Sequence, residues 1–153
     1  MLETPHVVVG AAIAMKVVNP ALAIPLAFGS HFVLDRIPHW NPHLNTEVKE
    51  NGKPTKKSSI VVIVDVCASI AIGVFIASRA LPSTSHATTI LIASFASVLP
   101  DVIEGPYFFL GMKSRFIKKW IAFQKSFQVD ADIIPGLLTQ IITIAVALWW
   151  IFA

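Results

Sequence analysis

The chain has 153 residues, 55% of them hydrophobic and 14% charged, with a mean hydropathy of +0.71 and a formal charge of +3. Its apolar residues come in long runs rather than broken amphipathic stripes, which excludes an ordinary soluble domain and predicts an integral membrane protein. There is room for one bundle of about four to six spans at roughly 20 residues each, and a single cysteine, Cys67, excludes an intramolecular disulfide or a cysteine-based zinc finger.

No Lys or Arg precedes the first apolar stretch and no clear small-residue cleavage site follows it, so Met1 onward reads as mature sequence. Thr4-Pro5 has the form of an N-cap followed by proline at the first helical position, opening a helix over 5–18 that stops at Asn19-Pro20. A second helix follows over 20–37. Both are short for a ~30 Å hydrocarbon core at roughly 1.5 Å per residue, so they read as a helical hairpin that is tilted, locally thinned or re-entrant. Residues 40–58 form a polar loop rich in turn formers.

Spans are predicted next over 60–78, with Asp65 inside the helix, and over 86–103. Gly105-Pro106 then leads to a basic segment, 113–127, in which Phe116, Trp120, Phe123 and Phe127 recur at helical spacing while Arg115, Lys118, Lys119 and Lys125 lie mostly elsewhere around the helix. That is the pattern of an amphipathic helix lying in the membrane interface. The last span covers 133–153. The predicted fold class is therefore all-α, an integral membrane helical bundle of about five spans, the first two short, with an interfacial helix.

Strict alternation puts the N-terminus, the 40–58 loop and the 104–131 segment on one side of the membrane. All 12 Lys and Arg except Lys16 and Arg79 fall on that side, which the positive-inside rule makes cytoplasmic. His6, His31, Asp35, His39, Asp65, Asp101 and Glu104 fall there too.

Ionisable side chains are costly in hydrocarbon and usually mark function. His31 and Asp35 are four apart and share a helix face, and His39 extends the stripe if Pro38 leaves the helix intact. Asp101 and Glu104 present two carboxylates three apart from another helix, and His6 lies on the first turn of a third. Mixed histidine and carboxylate ligands suit a divalent cation, Zn²⁺, Mn²⁺ or Fe²⁺, with Zn²⁺ or Mn²⁺ foremost, and six such residues suffice for two metals. A carboxylate not engaged as ligand, Glu104 first, is the expected general base. Asp65 is read as the partner of a ligating histidine, with a proton relay or a structural hydrogen bond as alternatives. Arg36 is placed to hold a phosphate oxygen. His43 reads as solvent-exposed, and His86 lies on the opposite side.

The two halves also carry a short likeness. Ser30-His31 through Asp35 ends one helix as Ser97-Val98-Leu99-Pro100-Asp101 ends another. With His6 and the small apolar residues through Gly10, these motifs resemble those of the small inner-membrane metal-dependent hydrolases described as LexA-binding and inner membrane-associated, for which a distant similarity to zinc-dependent phospholipase C has been proposed. The resemblance implies His6, His31, Asp35 and Asp101 as metal-site residues. The chain departs from the family pattern in that Asp101 is followed by Val102-Ile103-Glu104 rather than a second Asp and a His. The expected function is hydrolysis of an ester or phosphoester in a lipid headgroup at the cytoplasmic face of a prokaryotic inner membrane. Expected partners are membrane lipid and a homo-oligomer or larger assembly, with no nucleic acid. A small ion-coupled transporter component and a non-catalytic adaptor subunit are the competing classes.

Overall fold

A computed structural model describes all of residues 1–153 as seven helices without strands: α1 (Glu3–Lys16), α2 (Pro20–Leu34), α3 (Leu44–Asn51), α4 (Lys56–Ser78), α5 (Thr84–Leu110), α6 (Arg115–Lys125) and α7 (Ile133–Phe152). Only α4, α5 and α7 are long and apolar enough to cross a membrane, so the five expected spans reduce to three. At 14 and 15 residues, α1 and α2 are too short to cross a ~30 Å core upright. Of the hairpin they form, α1 is packed among the longer helices, whereas α2 leaves Leu22, Leu26 and Val33 exposed.

Helix α1 is the centre of the bundle, buried from Pro5 to Val8 and again over much of Gly10 to Ala14, and in contact with α2, α4, α5 and α7. Small residues make this possible. Gly10 faces α5 so closely that a Cβ there would lie 2.7 Å from Ser97 Oγ, while Ala11, Ala12, Ala14, Ala23, Ala27 and Ala93 fill the surrounding core. In lipid, association gains from such close backbone packing rather than from bulk hydrophobicity.

Several elements differ from the sequence expectation. The residue preceding α1 is Leu2 rather than Thr4, and Asp65 of α4 supplies the cap instead: its carboxylate accepts from Glu3 N at 2.5 Å, Thr4 N at 3.3 Å and Thr4 Oγ1 at 2.6 Å. Within the 40–58 loop stands α3, tied to the start of α4 by Glu47, whose carboxylate accepts from Thr55 N and from Ser58 Oγ at 2.7 and 2.6 Å. Finally, α5 does not end near residue 103 but runs through Pro100 and Pro106 to Leu110. Each proline removes one backbone donor, and neighbouring helices make that tolerable at membrane depth.

Helix α6 turns Ile117, Ile121 and Gln124 inward, and Trp120 Nε1 donates to the Pro100 carbonyl at 2.9 Å. Its Trp120 and Phe123, with Phe127 just past its end, also gather around Phe32 of α2. The α6–α7 connection then pairs with the segment after α2: Val129 N donates to Asp35 O, His39 N to Val129 O, and Ala131 N to His39 O, all within 3.1 Å. Gln140 of α7 fastens the same region, accepting from Leu2 N and donating to the Trp40 carbonyl, both at 2.9 Å.

Candidate metal centre

The start of α1, the end of α2 and the latter part of α5 meet at one point. His6, His31 and Asp101 offer ligand atoms that all lie within 4.8 Å of one another, a cluster that can hold a metal ion. Asp35 sits among them, its carboxylate 3.4 Å from His6 Nε2 on one oxygen and 3.4 Å from His31 Nε2 on the other. His31 Nε2 is 3.7 Å from Asp101 Oδ1, and His39 Nε2 is 3.8 Å from Asp35 Oδ1. The His6 and His31 rings stack with centroids 4.1 Å apart. All three histidines are fully buried.

Hydrogen bonding decides which ring nitrogens are free. His31 Nδ1 donates to the Ser97 carbonyl at 2.8 Å and His39 Nδ1 to the Ile37 carbonyl at 2.7 Å, which turns each Nε2 toward the cluster as the atom able to ligate in the neutral ring. Neither Nε2 has a hydrogen-bond partner, and neither does Asp35 Oδ2. His31 Nε2 thus stands 3.4 Å from Asp35 Oδ2 with neither atom hydrogen-bonded, a pair that a shared cation would satisfy. The spacing suits that cation. Ligand atoms at about 2.0–2.2 Å from a tetrahedral ion stand roughly 3.4 Å apart. The Met1 amino group, also paired with Asp35, places positive charge against the same carboxylate. Burial first, and that ammonium second, hold the His39 imidazole below its ordinary pKa, which keeps it neutral and able to ligate.

His39 reaches the cluster by a route other than the helical stripe expected of it. Helix α2 ends at Leu34, and Pro38 excludes a further turn. The backbone pairing with 129–131 turns His39 back instead, so its side chain returns to Asp35 from a loop. The remaining residues of the expected set stand elsewhere. Glu104 lies beside the cluster, its carboxylate accepting at 2.6 Å from Gln124 Nε2, which also donates to Asp101 Oδ1 at 3.1 Å. Asp65 uses both oxygens on the α1 terminus. Arg36 is exposed, its guanidinium 5.2 Å above the Phe127 ring. His86 donates to the Ala14 carbonyl at the other end of the bundle.

Glu3 and Gln124 escaped the sequence reading. Glu3 has a buried carboxylate oxygen without a partner, and it lines a polar cleft of about 180 Å³ together with Asn41, His43, Asp65, Asp101 and Glu104. Gln124 joins α6 to the two acidic residues of α5. Its signal was available: it occupies the i+7 position of the stripe Ile117–Ile121–Gln124, where an amide is out of place unless bonded. Asp101, 19% exposed, belongs to both the cluster and the cleft, and so connects the buried histidines to the cleft.

No family model matches the chain, and neither a curated protein nor a solved structure matches it. Function is therefore read from the geometry.

Proposed function

We propose that the protein is a membrane-bound, metal-dependent hydrolase that cleaves a phosphoester or ester in a lipid headgroup or lipid-linked phosphate at the cytoplasmic face of a prokaryotic inner membrane. The observation that carries this reading is the cluster of His6, His31 and Asp101 ligand atoms within 4.8 Å of one another, with His31 Nε2 and Asp35 Oδ2 buried and unpartnered, at the junction of three helices. His6, His31, Asp35 and Asp101 would hold the ion, with His39 within reach, and the donor set favours Zn²⁺ or Mn²⁺. When bound, such an ion polarises a phosphoryl or acyl oxygen and makes water a better nucleophile at neutral pH.

The chain's own residues do the rest. The Ser97 carbonyl fixes the His31 tautomer, and Gln124 holds Asp101 and Glu104 side by side. Glu104 lines the cleft as a carboxylate able to take a proton from water, and Glu3 lines it beside Asp101. Lys53 before α4 and Lys56 and Lys57 at its start, the end of α4 that lines the cleft, together with the cations of α6, support a cytoplasmic orientation and α6 lying in the interface. The short motifs that resemble the inner-membrane hydrolases point to the same class. Asp65, on which an ion-relay reading depends, is engaged in capping α1, and this favours the hydrolase over a transporter component.

Elemental analysis of detergent-purified protein tests the reading. Wild type is expected to carry a transition metal that His31→Ala and Asp101→Ala each lose. A metal-free wild type after reconstitution with Zn²⁺ and with Mn²⁺ overturns it.

A further inference from the structure

A second cavity, apolar and about 380 Å³ in volume, runs between α4 and α5. One wall is the stripe Val66, Ile70 and Val74 of α4, the other Leu91, Phe95 and Val98 of α5, each set at i, i+4 and i+7 or i+8. Helix α1 forms the floor. Gly73 brings α4 onto it, since a Cβ there would come 3.1 Å from Val7 Cγ1, and Ser69 and Ser94 keep the walls thin. Ile70, Val74, Leu91 and Phe95 are exposed, so the groove opens sideways on the surface that three membrane-crossing helices would present to lipid.

Two features of this groove identify its occupant. The only titratable residues that line it are Glu3 and Asp101, both at the same end, and both also line the polar cleft, as do Val62, Gly105 and Phe109. From Leu91 to Asp101 the wall is ten residues, about 15 Å at 1.5 Å per residue, which is half of a ~30 Å hydrocarbon core. An apolar channel one leaflet long, ending at carboxylates beside a buried cluster of ligand atoms, has the shape of an amphiphile.

We propose that the α4–α5 groove holds one hydrocarbon chain of a membrane lipid whose polar head lies in the Glu3–Asp101 cleft, so that substrate enters laterally from the bilayer rather than from water. This rests on the hydrolase reading above and narrows it: the substrate is a lipid that keeps its tail in the membrane during reaction. The groove also explains why the cluster lies several helical turns below the ends of α4 and α5. A tail held along α4 draws its head to that depth.

The test uses full-length protein in vesicles of phosphatidylethanolamine and phosphatidylglycerol doped with phosphatidylglycerol bearing a mid-chain diazirine. After irradiation, adducts are expected to concentrate on Val66, Ile70, Leu91 and Phe95 over Ile134, Ile141 and Trp149 of α7, which are at least as exposed. Ile70→Trp and Leu91→Trp each place bulk at the groove mouth, where the side chain is already exposed and folding tolerates it. Both are expected to lose the groove adducts while keeping their metal and their α7 adducts. Adducts spread evenly over α4, α5 and α7, or unchanged in both variants, would overturn the groove as a tail site and leave ordinary boundary lipid. The two readings fail separately: a metal-free protein with concentrated groove adducts defeats the hydrolase alone, and a metal-loaded protein with even labelling defeats the tail site alone.

Discussion

Helices α1 and α7 are both apolar, yet they live in opposite surroundings. Ile134, Leu138, Ile141, Ile142, Val146 and Trp149 of α7 are exposed, large and mostly branched or aromatic, the kind of side chain that meets lipid. Most of α1, by contrast, is covered, and its buried positions are largely Val, Ala and Gly. The difference teaches that in a membrane bundle hydrophobicity marks the outside as readily as the inside, and that small residues mark the interior. The functional cluster follows the small residues. His6 rides on the central helix, whereas α7 contributes only Thr139 and Gln140, which fasten the loop at 38–40.

Bulk is the most direct way to break this contrast. Gly10→Leu drives a side chain into Ser97 and the Ala93 carbonyl and is expected to cost about 1–3 kcal/mol, whereas Ile141→Phe on the lipid face of α7 should stay within roughly 0.5 kcal/mol. Thermal unfolding in one detergent compares them, and equal losses would abolish the distinction between inner and outer helix. A sharper probe removes the amide that links α6 to the site. Gln124→Leu keeps the apolar packing of α6 but releases Asp101 and Glu104, so metal affinity should fall by about 10–100-fold while the melting temperature moves little. Competition with a chromophoric chelator reads this, and unchanged affinity would make Gln124 a packing residue only. The smallest effect is expected at Asp65→Asn. The amide retains one acceptor oxygen for the α1 terminus, so the loss should be about 0.5–2 kcal/mol, the range of a helix cap, with metal stoichiometry preserved. Loss of metal in that variant would return Asp65 to the role of histidine partner.

Legibility differed between the fold and the site for physical reasons. Helix positions were readable because apolar runs and the proline breaks at 19–20 and 82 are local properties of the chain, whereas the break expected at Gly105-Pro106 is not one, α5 continuing to Leu110. The number of spans was not readable. Hydropathy reports that a helix is apolar, not that it reaches across, and α1 and α2, at 14 and 15 residues, count as spans by apolarity but not by length. Likewise the 20–37 stripe placed His31 and Asp35 on one face, a consequence of helical period alone, while His39 lay beyond a proline where periodicity has no authority.

By itself, the sequence determined that this is an apolar, all-helical chain with His6, His31, Asp35, His39 and Asp101 near one end of its bundle, because composition, helical period and Lys/Arg asymmetry act over short stretches. Tertiary structure alone decided that α1 is central, that Asp65 caps it, that a loop returns His39 to Asp35, and that Gln124 and Glu3 join the acidic end of α5. Those outcomes depend on contacts between residues 20 to 140 positions apart, where close approach of small side chains and the need to satisfy buried polar groups, rather than local propensity, choose the partner.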